Sequence, residues 1–188
     1  MIIIVEGIDG SGKTTFCKFL SKKLKVPIII NEKFAVGLGR HEIKVLAQAE
    51  TLIPFTKTFD FILDRGILTN IVYGKTYDIA SLDKVINANA EAFKKYDGVI
   101  CYIEVDGATA FQKIIQRENM EGIKEKSEII SGLSELTERY KIYYKKIKDE
   151  MPDKIFKIVG HKPIEEMAEA FIKECKSLKK EMVRNFYL

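Results

Sequence analysis

Along the chain, short unbroken apolar runs alternate with stretches whose apolar residues recur every three or four positions. The runs are Ile2–Val5, Val26–Ile30, Phe59–Leu63, Val99–Val105 and Ile155–Val159. A run that is apolar at consecutive positions, not alternate ones, predicts a strand covered on both faces, as in a parallel sheet. Between the runs, Phe16, Phe19, Leu20 and Leu24 fall on one helical face, as do Ile43, Leu46, Ala47 and Ile53. Leu82, Val85, Ile86 and Phe93 make a third such face, and Ile164, Met167, Ala168, Phe171, Ile172 and Cys175 a fourth. A longer helix is predicted from about Ser127 to Asp149, with Ile130, Leu133, Leu136, Tyr140 and Ile147 inward. Strand and helix alternate from end to end, with no internal repeat, low-complexity linker or composition break. That pattern predicts a single doubly wound α/β domain over residues 1–188, a five-stranded parallel sheet with helices on both faces. One polar stretch interrupts it, RENMEGIKEKSE from Arg117 to Glu128, with Gly122 inside. It reads as a small lid over about 117–128, or as a solvated surface turn.

Composition narrows the class. Hydrophobic residues make up 46% and charged residues 31%, enough for a core under a charged surface and far from a disordered composition. The net charge of +4 is mild, and the lysines are interspersed with glutamates, so nucleic acid is not an expected partner. Cys17, Cys101 and Cys175 are widely spaced, without a CxxC pair, and lie in apolar surroundings; reduced core thiols in a cytoplasmic protein are expected. No segment has the roughly 20 apolar residues of a membrane span, and the four-residue opening run without a basic flank does not read as a signal peptide. His41 and His161 have no ligand-like spacing to cysteines or acids, so no structural metal is expected.

The first chemistry follows the first run. GIDGSGKT, Gly7 to Thr14, fits G-x-x-x-x-G-K-[ST] between a strand and a helix. Gly7, Gly10 and Gly12 let successive backbone N–H groups of the loop, through Ser11 to Thr15, curl around an anion, and the helix N-terminus adds partial positive charge. Lys13 reaches the β- and γ-phosphates of a nucleoside triphosphate, and the Thr14 hydroxyl is a Mg²⁺ ligand. Asp64 ends an apolar run, a place from which an acid can hold the metal or its water. Arg65 follows it, and a guanidinium there clamps a phosphate or makes a surface ion pair. Asn70 and Tyr73 share a face at i and i+3 of a helix starting after Arg65.

IVEGIDGSGKTT closely resembles the opening of the thymidylate kinases. FILDRGILTNIVYG resembles that family's Asp-Arg-Tyr segment with a downstream Asn and Tyr; DGVICYIEVD is similar to its fourth strand, and VGHKPIEEMAEAFI to its last strand and adenine turn. Four such pieces in matching order, over roughly 170 residues, are specific at family level. The resemblance implies a P-loop kinase with Mg²⁺ and ATP as phosphoryl donor. It implies that Asp64 assists the metal, Arg65 grips the acceptor's phosphate, Asn70 reads the base, and Tyr73 packs on the sugar against a 2′-hydroxyl. It also implies that Asp9 reaches the acceptor's 3′-hydroxyl, although an Asp in I-D-G is equally a turn former. His161, Lys162 and Pro163 would form the adenine turn, and related kinases are often homodimers.

Three departures matter. Glu32 falls in NEKF, where the family has Arg-Glu-Pro. The position at which some thymidylate kinases place a loop arginine is Gly10, so the transition-state cation would come from Arg117, with Lys124 and Lys126 as alternatives. The span between Glu32 and Asp64 is short and offers Phe34 or Phe55 as base stackers, with Phe59 assigned to the strand. Arg40 and Arg139 would pair at the surface or join the phosphate cluster. The leading expectation is a deoxynucleoside monophosphate kinase, most simply one that makes dTDP from dTMP. A deoxynucleoside kinase is the first alternative, with Glu32 as base for the 5′-hydroxyl. A nucleotide switch without a small-molecule acceptor is the second; EVDG and VGHK stand where a GTPase would carry Asn-Lys-x-Asp.

Overall fold

Residues 2–5 are all β-branched, which favours extended chain, and they form most of the central strand β1 (Ile2–Glu6). The computed structural model describes residues 1–30, 59–73, 87, 98–118, 126–175 and 178–188; the side chains of 67, 70, 117, 118 and 126–128 stand outside that description. β2 (Ile28–Ile30), β3 (Phe61–Asp64), β4 (Gly98–Glu104) and β5 (Ile155–Val159) complete a parallel sheet in the order β2-β3-β1-β4-β5. Val5 pairs with Asp64 on one side and Cys101 on the other, so the strand ends that carry the site are level.

Alternate residues of β1 serve two cores. Ile2 and Ile4 face a cluster with Leu68, Ile71, Val72, Phe111, Leu133 and Tyr140. These belong to α2 (Ile67–Tyr73), α3 (Gly107–Glu118) and α4 (Lys126–Glu150). Ile3 and Val5 face the other cluster, built by α1 (Lys13–Leu24), α5 (Ile164–Glu174) and α6 (Lys180–Tyr187) through Phe16, Leu20, Phe171 and Phe186. The expected five-stranded parallel sheet with helices on both faces is therefore the observed one. Cys17, Cys101 and Cys175 are buried and unbridged in the second cluster. No helix among the described residues is long and apolar enough to cross a membrane.

Several details correct the sequence reading. β2 starts at Ile28, not Val26, and as an edge strand it leaves Ile30 64% exposed. β5 is the other edge and turns Lys157 and Val159 outward, so only the inner strands are covered on both faces. Phe59 is 48% exposed and precedes β3, because Asp60 is engaged by the Met1 ammonium and Lys179 before strand pairing begins at Phe61. α6 was not foreseen; its apolar residues Met182, Val183 and Phe186 are separated by charged ones. The segment expected as a lid lies largely outside the described residues, as do the helical faces expected at 43–53 and 82–93.

Candidate functional site

The loop from Gly7 to Gly12 leaves β1 and enters α1 through backbone that only glycine adopts easily, with φ of +78° at Gly10 and +90° at Gly12. Gly10 lies against α3: a Cβ there would sit 2.2 Å from the Ala110 carbonyl oxygen. That position admits no side chain, arginine included. Lys13, first residue of α1, is buried and donates to the Ile8 carbonyl at 2.5 Å. Burial first, and the Arg65 charge second, lower its pKa to about 7; Asp9, Asp64 and Glu6 act in the opposite direction.

On the sheet side of the loop, the Thr14 hydroxyl donates to Asp64 Oδ2 at 2.7 Å. The other oxygen, Asp64 Oδ1, is buried with no hydrogen-bond partner among the described residues. Buried oxygens are normally paired. An orphaned carboxylate oxygen beside a hydroxyl suits a hard cation such as Mg²⁺, which takes one or two protein oxygens and completes its shell with phosphate and water. No cluster of three or more His, Cys, Asp or Glu that could hold a metal occurs among the described residues, which that ligation mode does not need.

A second group gathers beside the loop. Arg65 Nη2 donates to Asp9 Oδ1 at 2.6 Å, and the Asp9 backbone N–H donates to the Tyr73 hydroxyl at 3.1 Å. Asp9 thus turns its carboxylate to a guanidinium. Burial works against the Arg65 charge, but the bond and charge of Asp9 more than offset it and raise the pKa. Burial, then the Asp9 charge, pushes the Tyr73 hydroxyl up to about 12, so it stays a protonated phenol. Arg65 itself has left-handed backbone, φ +76°.

The residues expected to act together thus fall into two places that touch: Lys13, Thr14 and Asp64 in one, Asp9, Arg65 and Tyr73 in the other. His161, Lys162 and Pro163 form the exposed β5–α5 turn, and the Gly160 carbonyl before it accepts from Lys113 on α3 at 2.6 Å. Arg139 is not part of this group: it donates to the Val72 carbonyl at 3.2 Å and to Glu135 at 2.7 Å. Glu32, Phe34, Arg40, His41, Phe55 and Lys124 lie outside the described residues, and so do the side chains of Asn70, Arg117 and Lys126.

The sequence reading did not single out Glu6, Thr69, Tyr140 or Lys113 for the site. Glu6 sits fully buried behind the loop. Burial raises its pKa to about 7 against the opposing bonds from Thr69 and Leu68 and the Lys13 charge. An acid closing an otherwise apolar run was the visible signal.

No family model matches the chain. A probable thymidylate kinase from Sulfolobus acidocaldarius is 31% identical over 90 residues, which span 46% of this chain and about half, 46%, of that protein. A thymidylate kinase from Leptospira borgpetersenii is 26% identical over a 211-residue alignment that takes in 99% of this chain and 95% of the relative. Among solved structures, a deoxyadenosine kinase from M. mycoides with the products dCMP and dCDP superposes with a TM-score of 0.60. It is 21% identical, covering 95% of this chain and 100% of its own; at that identity the likeness speaks for the fold alone. The chain is thymidylate kinase-like in sequence and has the five-stranded parallel sheet of the P-loop nucleoside and nucleotide kinases.

Proposed function

We propose that the protein is a phosphotransferase that moves the γ-phosphoryl group of ATP to a deoxynucleoside monophosphate, most simply dTMP, giving dTDP and ADP. The observation that carries this reading is the Asp9–Arg65–Tyr73 group, a partly buried guanidinium held beside the phosphate loop. Lys13 holds the β- and γ-phosphates from the start of α1. Thr14 and Asp64 would hold Mg²⁺, which neutralises charge on the phosphate oxygens when bound. The acceptor's phosphate oxygen attacks the γ-phosphorus as the bond to the ADP oxygen breaks. Arg65 grips the acceptor phosphate, Asp9 its 3′-hydroxyl, Tyr73 the deoxyribose and Asn70 the base. Arg117, at the end of α3, supplies the cation for the transition state, and the turn at 161–163 lies by the adenine. A homodimer and a lid over 117–128 belong to the same reading.

One feature favours a second reading, a deoxynucleoside kinase. Asp9 lies 2.6 Å from Arg65 and neutralises the charge a monophosphate would otherwise claim. In that case Glu32 is the base for the 5′-hydroxyl. A coupled ADP-release assay with Mg·ATP separates the readings, using the four deoxynucleosides and their 5′-monophosphates with UMP and CMP. Turnover with dTMP or another monophosphate supports the first reading and names the base. Turnover with nucleosides alone supports the second. The same slow ADP release with every acceptor overturns both and leaves a nucleotide switch.

A further inference from the structure

Glu6 ends β1 one residue before the phosphate loop, and its carboxylate is ringed by donors from a different element. The Gly66 and Leu68 N–H groups donate to Oε1 at 3.0 and 2.9 Å. The Thr69 N–H and hydroxyl donate to Oε2 at 3.0 and 2.5 Å. These four close donors on two oxygens match the acceptor capacity of an ionised carboxylate, and a protonated one would have to reorganise them. Tyr140 of α4 joins them: its hydroxyl lies 2.8 Å from the Thr69 hydroxyl and donates to Glu6 Oε2 at 3.5 Å.

The start of a helix leaves its first N–H groups unpaired, and a side chain immediately before the helix normally takes them up. Here the cap for α2 arrives from a residue 60 positions away in sequence. The same strand end also holds the preceding residue, since the Arg65 N–H donates to the Val5 carbonyl at 3.1 Å. Left-handed backbone at a non-glycine is strained and persists only where its surroundings enforce it. Arg65 has that backbone between Asp64, fixed by strand pairing, and Gly66, held by Glu6. Gly66 presses close on β1 as well: a Cβ there would meet Ile4 Cγ2 at 2.5 Å.

We propose that Glu6 is a positioning residue for the acceptor side of the reaction. Its buried carboxylate fixes the left-handed turn that aims Arg65 and the short helix that ends in Tyr73. The proposal rests on the kinase reading given above. Glu6 does not touch substrate; it acts through α2.

The test compares wild type, Glu6→Gln and Thr69→Val at pH 8 in steady state, with the acceptor identified in the panel. Glu6→Gln keeps the shape but turns an amide N–H₂ toward donors. The acceptor KM should rise about tenfold, the loss of a hydrogen bond to a buried charge, with the KM for ATP within about twofold. Thr69→Val should give a smaller shift of the same kind. Amide hydrogen exchange at Leu68 and Thr69 should quicken in Glu6→Gln while α1 amides keep their rates. Equal changes in both KM values, no change in either, or unaltered exchange at Leu68 and Thr69 would overturn the role. If Glu6→Gln does not fold, Thr69→Val decides alone by the same KM comparison. A wild-type protein that turns over nothing in the panel overturns the kinase reading and the acceptor role with it. An unchanged variant of an active enzyme overturns only the role of Glu6.

Discussion

Gly10 and Gly12 form a matched pair, because both have left-handed backbone and only one has a neighbour. At Gly10, φ +78°, an added Cβ would meet the Ala110 oxygen at 2.2 Å, the Ala110 carbonyl carbon at 2.8 Å and Ala110 Cα at 3.0 Å. At Gly12, φ +90°, it would meet nothing within 4 Å. Gly12→Ala therefore incurs backbone strain alone, roughly 1–2 kcal/mol. Gly10→Ala incurs the same strain and a backbone contact that no rotamer can relieve, which adds roughly 1–3 kcal/mol, in the range of overpacked cores. In a chain of this length about 1 kcal/mol moves Tm by about 2–4 °C. Gly12→Ala should lower Tm by about 4 °C, and Gly10→Ala by about twice that or more, measured without nucleotide. Urea titration should show both losses as lower midpoints with unchanged slope. Equal losses for the two variants would refute the closed contact between the loop and α3. Position 10 would then have room for a side chain, arginine included.

Arg65→Ala should raise the acceptor KM or lower kcat at least tenfold while ATP binding stays within about twofold; an unchanged acceptor titration would move the acceptor site elsewhere. Lys13→Met should abolish phosphoryl transfer and also alter the pH dependence of stability. The Lys13 pKa is about 7 in the folded protein against an ordinary 10.5, so between those values the unfolded chain binds the proton that the folded chain has released. Stability of the wild type should accordingly rise from pH 7 to pH 10 relative to Lys13→Met in matched thermal melts, and parallel curves would contradict the lowered pKa of the buried Lys13 amine. Arg117→Ala should reduce kcat by about 10³-fold if it neutralises transition-state charge; a change below about twofold would return it to the solvent-facing surface.

The sheet was legible because its central strands are buried on both faces and therefore apolar at every position. The edges were misread for the same reason: Ile30 and Val159 look like core residues but face outward on β2 and β5. The glycine turn between β1 and α1 was legible from its spacing, since few other constraints place glycines three and two residues apart before Lys-Thr. The meeting of Asp9 with Arg65 depends on β1 and β3 being neighbours in register, information that no local window holds. Glu6, Thr69 and Tyr140 escaped notice because each has a plain local role, as a strand end, a helix residue and an inward aromatic. Only their convergence across the sheet gives them a common purpose. Helix α6 was hidden by its length: eight residues give too few periods for a pattern to stand out among lysines and glutamates.

The place of β1 between β3 and β4 also sets an order of events during synthesis. Its partners begin at residues 61 and 98, so β1 is flanked on both sides only after the chain has grown past Glu104. Such distant pairing must wait for long segments to close before it is rewarded. The Asp64 that meets Thr14 and the helix that meets Asp9 follow β1 with β3, while the Ala110 backbone that closes on Gly10 comes only after β4. The loop at 7–12 is therefore made well before the segments that close on it, and it takes its final form only once Ala110 has been added.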